Sequence, residues 1–119
     1  SDCDQTERSA YNQKEKIMDL EVMQASAERA SNMMKLLGHP HRLMILCELK
    51  LQERSVGELS EKLGISQSLV SQHLARMRHE EVVDSRREAQ VVFYSLKEGA
   101  ASDLIAVMYE IFCKDAEAS

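Results

Sequence analysis

The chain has 119 residues, 44% of them apolar, with four glycines, one proline and no tryptophan; this fits one domain with a modest core and disfavours a loop-rich or all-β protein. No apolar run approaches the ~20 residues that span a bilayer, and the polar start Ser1-Asp2-Cys3-Asp4-Gln5 does not read as a signal peptide, so a cytoplasmic protein with reduced cysteines and no membrane partner is expected. The net charge of −5 argues at first against nucleic acid, yet residues 35–96 carry nine positive and eight negative groups and the acidic excess sits at the two ends.

Residues 1–12 are polar and read as a flexible N-terminal tail; 13–119 form the folded domain. From Gln13 to Leu37 apolar residues recur at threes and fours (Ile17, Leu20, Met23, Ala27, Ala30, Met34, Leu37), the period of a helix, with a possible break at 23–26. Gly38 stops it and Pro40 suits the first turn of a second helix over about 40–51, apolar over most of its circumference. Ser55 and Glu58 have capping-box spacing, opening a short helix over about 56–63. Gly64 permits a left-handed turn residue, Ile65 plugs the core and Ser66 caps a helix over about 67–79 that buries Leu69, Val70, Leu74 and Met77. Val82–Ser85 and Val91–Leu96 are strand-like and flank a charged tip, Arg86-Arg87-Glu88-Ala89-Gln90, giving a two-stranded hairpin. A last helix over about 98–114 carries Leu104, Val107, Met108, Ile111 and Phe112 on one broad face.

Two helices joined by a tight turn with one apolar plug, followed at once by a basic-tipped hairpin, make a winged helix-turn-helix: mainly α with a two-stranded β wing. The second helix of the motif opens with small polar side chains, as a major-groove reader requires. Gln67, Ser68, Ser71, Gln72 and His73 are the expected base-side residues, since Gln pairs bidentately with adenine and Ser donates or accepts. Arg76 and Arg78 suit phosphates, and Arg86, Arg87 and Gln90 suit the backbone or minor groove. The chain shows no catalytic triad and no phosphate-binding glycine loop, so an enzyme is not expected. A plain helical hairpin without DNA binding remains the alternative from the turn alone.

Four segments in order, Leu36-Leu37-Gly38-His39-Pro40-His41-Arg42-Leu43-Met44-Ile45-Leu46, Val56-Gly57-Glu58-Leu59, Ser66-Gln67-Ser68-Leu69-Val70-Ser71-Gln72-His73-Leu74 and Val91-Val92-Phe93-Tyr94-Ser95-Leu96, closely resemble the ArsR/SmtB repressors. The resemblance implies a homodimer through the first and last helices, a palindromic double-stranded operator and release by an inducer. Met18, Met23, Met33, Met34 and Met108 read as core and dimer packing. The arsenic and cadmium sensors of that family carry Cys-x-Cys where this chain has Ser55 and Gly57. The zinc and nickel sensors use Asp and His on the last helix; Asp103 matches one position, but Ile105 stands where a His is needed. Neither metal site is expected, and His39 and His41 are set aside as ligands because residues two apart on a helix do not face together.

Cys47 and Cys113 remain. Their positions resemble the dithiol persulfide sensors of the family, the SqrR/BigR group, in which such a pair is joined by a di-, tri- or tetrasulfide when reactive sulfur species appear. No cofactor is implied. The alternatives are an ArsR-type repressor with another inducer (haem or a metal on Cys47 or His73, or a general oxidant) or with none; ordinary buried cysteines would fit that last case.

Overall fold

The computed structural model describes the backbone of residues 2–114 and the side chains of residues 19–114; the side chains of Cys3, Ile17, Met18 and the expected tail lie outside that range. Residues 1–35 and 36–119 form two separate units. The first is the part of helix α1 (Asp2–Leu37) that runs up to Lys35. It begins ahead of Gln13 and runs without the break allowed at 23–26, because no glycine or proline occurs before Gly38 to interrupt it. Leu20, Val22, Met23 and Met34 are exposed along it.

The second unit holds the core. Helix α2, Pro40–Leu51, starts with Pro40 in its first turn, and the His39 side chain caps it by accepting the His41 N–H. Its Ile45 and Leu46 are fully buried, together with Leu59 of helix α3 (Val56–Leu63), Val70, Leu74 and Met77 of helix α4 (Gln67–His79), and Ile105 of helix α5 (Ala100–Met108). Each such side chain contributes about 1.5–3 kcal/mol from burial alone. Leu69, expected inside, is exposed.

The capping box forms as its spacing requires. Ser55 Oγ accepts the Glu58 N–H at 3.2 Å and Glu58 Oε1 accepts the Ser55 N–H at 3.1 Å. Ser66 Oγ accepts the Leu69 N–H at 3.2 Å at the start of α4. Between the two helices Gly64 stands at φ 67°, in the left-handed region, with open space where a Cβ would go. The cost of Gly64→Ala is therefore backbone strain without a clash. We expect a loss of about 1 kcal/mol, read as a lower denaturant midpoint with an unchanged m-value; an unchanged midpoint would contradict it.

The sheet departs from the expectation in two ways. It has three antiparallel strands in the order β1-β3-β2: β1 Arg54–Ser55, β2 Val83–Glu88 and β3 Val91–Leu96. Strand β1 is two residues long, too short to leave a periodic signal. Strand β2 continues through Arg86, Arg87 and Glu88, whose partners are Phe93, Val92 and Val91. The five-residue tip thus shrinks to Ala89-Gln90, with Ala89 at φ 57°. Pairing with a β-branched and aromatic strand overrides the weak strand preference of the charged residues.

One buried charge joins the elements. Glu48, 7% exposed, takes Arg54 at 3.0 Å and Lys62 at 3.1 Å on the same Oε1. These contacts are ionic pairings rather than directed hydrogen bonds, and they tie α2 to β1 and α3. Helix α5 passes at Tyr109 into a wide π-helical turn, Tyr109–Cys113. Such turns occur often at functional sites; this one ends on Cys113.

Candidate functional site

Helix α4 lies on the second limb of the helix-turn-helix, with Val70, Leu74 and Met77 holding it to the core. Its opposite side carries Gln67, Ser68, Ser71 and Gln72, all exposed. Ser68, Ser71 and Gln72 are spaced by three and four and share one face. The free N–H groups of the first turn add a partial positive charge beside them. Arg76, Arg78 and His79 place positive charge in the last turn, where it also suits the helix dipole.

His73 departs from this face. Its ring lies 4.7 Å from that of His39 and 5.9 Å from that of His41, and its Nε2 is buried without a hydrogen-bond partner. Burial, then the neighbouring His39, Arg42, His41 and Arg76, hold its pKa below the ordinary histidine value. The ring is turned toward α2, away from the side on which Gln67, Ser68, Ser71 and Gln72 are displayed. Arg76 stands beside it, near enough to Arg42 to lower the latter's pKa after burial has done so.

In the wing, the structure separates three residues that the sequence grouped. Gln90 is in the two-residue turn, and Arg87 is exposed on β2. Arg86 is engaged: its Nε and Nη2 donate to the Glu53 carboxylate at 2.8 and 2.6 Å, and Nη1 donates to Glu88 at 2.9 Å. Those carboxylates raise its pKa, and it lowers that of Glu53 in turn. Arg86 also stands 4.9 Å from the Phe93 ring centroid. All three are exposed, and Arg86 alone among them is held by ion pairs.

Cys47 of α2 and Cys113 at the end of the π-helical turn are free thiols brought together. They line one apolar cavity of about 320 Å³ with Leu43, Met108 and Phe112. Burial, proximity to Cys113 and a hydrogen bond to the Cys113 side chain push the Cys47 thiol up, against a smaller opposing effect of Lys50. Alkylation of Cys47 by iodoacetamide should therefore show a pH midpoint above the ordinary 9.0. In Cys113→Ala the midpoint should move down but stay raised, since burial is the larger cause. Peptide mass spectrometry across pH checks this; a wild-type midpoint at or below the ordinary value would contradict it.

Residues 39–85 match the profile of bacterial regulatory proteins of the arsR family. The chain is 46% identical over 96 residues to the HTH-type transcriptional regulator YgaV of Escherichia coli, covering 80% of this chain and 97% of that protein. It belongs to the ArsR family. The biofilm growth-associated repressor of Xylella fastidiosa is 42% identical, with 81% of this chain and 84% of that protein covered. Among solved structures, reduced HlyU from Vibrio cholerae superposes with a TM-score of 0.76 at 39% identity, covering 79% of this chain and 99% of the other. The repressor BigR from Xylella fastidiosa superposes at 0.74 and 41%, covering 80% and 94%. This ArsR-family chain is thus a winged-helix, DNA-binding transcriptional regulator, not an enzyme. Among the described residues, no helix is long and apolar enough to cross a membrane.

The ArsR chain also carries a grouping that sequence reasoning set aside. His39, His41 and His73 offer ring nitrogens that all lie within 4.8 Å of one another. The objection that residues two apart on a helix diverge does not apply, because His39 is the N-cap, with extended backbone at φ −133°. Pro40 in the first turn was the signal available in the sequence. His73 joins from a helix that only the tertiary fold brings near.

Proposed function

We propose that the chain is a homodimeric repressor that binds a palindromic operator and leaves it when reactive sulfur species bridge Cys47 and Cys113. The observation that carries the reading is the apolar cavity that the two thiols share. A solved relative, HlyU, is described in a reduced form, and another, BigR, is described as a repressor. Gln67, Ser68, Ser71 and Gln72 read bases, Arg76 neutralises phosphate, and Arg87 and Gln90 extend the contact from the wing.

The chemistry balances without a cofactor. The Cys113 thiolate attacks the outer sulfur of a low-molecular-weight persulfide, R–S–SH; the S–S bond breaks and R–SH leaves after taking a proton. The product is Cys113–S–SH. Cys47, having lost its proton to solvent, attacks the inner sulfur, forming Cys47–S–S–Cys113 and expelling hydrogen sulfide. If Cys47 is first converted to Cys47–S–SH in the same way, the Cys113 persulfide anion attacks its inner sulfur and expels hydrogen sulfide, leaving a trisulfide. In each case sulfane sulfur is reduced to sulfide and the two thiols are oxidised. Burial pushes the Cys47 thiol up, which disfavours Cys47 as the first attacker.

The test treats reduced protein separately with a persulfide donor, hydrogen peroxide and oxidised glutathione. Mass spectrometry of the peptides and operator affinity are measured on the same samples. A bridge between Cys47 and Cys113 with weakened operator binding for the persulfide alone supports the reading. Unmodified or separately capped cysteines with unchanged binding would overturn it.

A further inference from the structure

We infer that His39, His41 and His73 form a binding site for a late first-row divalent metal ion, linking the N-terminus of α2 to the recognition helix α4. The site is distinct from the two positions at which the ArsR resemblance looks for metals, Ser55/Gly57 and Asp103/Ile105, and it does not depend on the sulfur-sensing reading.

Three features support it. The donor nitrogens are within 4.8 Å of one another, and small ring rotations bring them to the roughly 3.3–3.4 Å mutual separation of nitrogens bound to one tetrahedral ion at about 2.0–2.1 Å. His73 Nε2 is buried and has no hydrogen-bond partner, so a metal would satisfy an atom that the fold leaves unsatisfied. The three side chains are half-buried and come from two helices already packed by core residues, which fixes the donor set before an ion arrives.

The donors also define the ion. Three imidazoles suit Zn(II), Co(II), Ni(II) or Cu(II), whereas Mg(II) and Ca(II) need oxygen ligands. Three protein ligands leave a fourth position open. Arg42 and Arg76 face the cluster, so they oppose a bare cation and favour an anionic fourth ligand such as hydroxide or chloride. His39 Nδ1 accepts the His41 N–H at 3.1 Å. A neutral His39 therefore carries its proton on Nε2, and ligation by either nitrogen displaces that cap bond or shifts the proton to Nδ1. The metal and the helix cap compete for this ring.

The experiment uses the full chain with Cys3, Cys47 and Cys113 replaced by serine, so that no thiolate binds metal. Zn(II) is titrated by calorimetry and Co(II) by visible absorption. We expect one ion per chain at micromolar affinity or tighter, with Co(II) d–d bands and a metal-dependent rise in Tm. His39→Ser keeps an N-cap oxygen while removing a ligand, and His41→Gln is a second variant; each should weaken binding at least tenfold while the metal-free Tm holds. Absence of binding at millimolar metal would overturn the inference, as would affinity unchanged in both variants.

Discussion

Cys113→Ser should leave the operator affinity of the reduced protein unchanged and abolish its response to a persulfide donor. The expected wild-type response is a fall in affinity of about 30-fold, which requires a difference of about 2 kcal/mol between the bridged and reduced forms in their preference for DNA. Serine removes the nucleophile without adding bulk to an apolar cavity that is already open. Cys47→Ser should behave differently. Cys113 still takes up sulfane sulfur, so mass spectrometry finds one added sulfur on its peptide, but no bridge forms and operator binding persists. A Cys113→Ser protein that is still released by persulfide would place sensing elsewhere.

The bridge has a physical route to the DNA side. It would join α2, whose Ile45 and Leu46 are fully buried, to the last turn of the chain's final helix. A direct disulfide needs Cα atoms within about 7 Å, while added sulfurs relax that demand, and a cavity of about 320 Å³ has room for them. Bridge length then determines how far the last turn is drawn toward α2. Phe112, which lines the same cavity, is 67% exposed, so any movement there is felt at the surface.

Much of this arrangement was legible in the chain. The bounds of α2, α3 and α4 follow from Pro40, the Ser55–Glu58 box, Gly64 and Ser66, each a local signal with a local cause. What was not legible is tertiary. Strand β1 exists because Arg54 and Ser55 pair with Tyr94 and Phe93. Arg86 looks like a free wing cation in sequence, yet Glu53, 33 residues earlier, occupies it. Glu48 is buried in a helix that reads as apolar over most of its circumference, and Arg54 and Lys62, brought to it only by the fold, make its burial tolerable. His73 looks like a polar reader beside Gln72, yet it turns toward His39 and His41. The cysteine pair was suggested by family positions alone; in the structure both residues line one cavity.

Val107→Glu with Ile111→Glu should convert a dimer into a monomer and remove tight operator binding. Val107 is 55% and Ile111 59% exposed on the last helix of the isolated chain. A carboxylate there costs the monomer little, because substitutions at exposed positions usually stay within about 0.5 kcal/mol. In a two-fold interface the same residues meet an apolar partner, and each subunit would bury two charges without counterions. A monomer reads one half-site. If a half-site carries about half of a binding free energy near 12 kcal/mol, affinity falls from about nanomolar to tens of micromolar or weaker. Sedimentation and operator titration check this together, with thermal melting to show that the fold is retained. A dimer that survives both substitutions would remove the last helix from the interface, and with it the route by which a bridge at Cys113 reaches the second subunit.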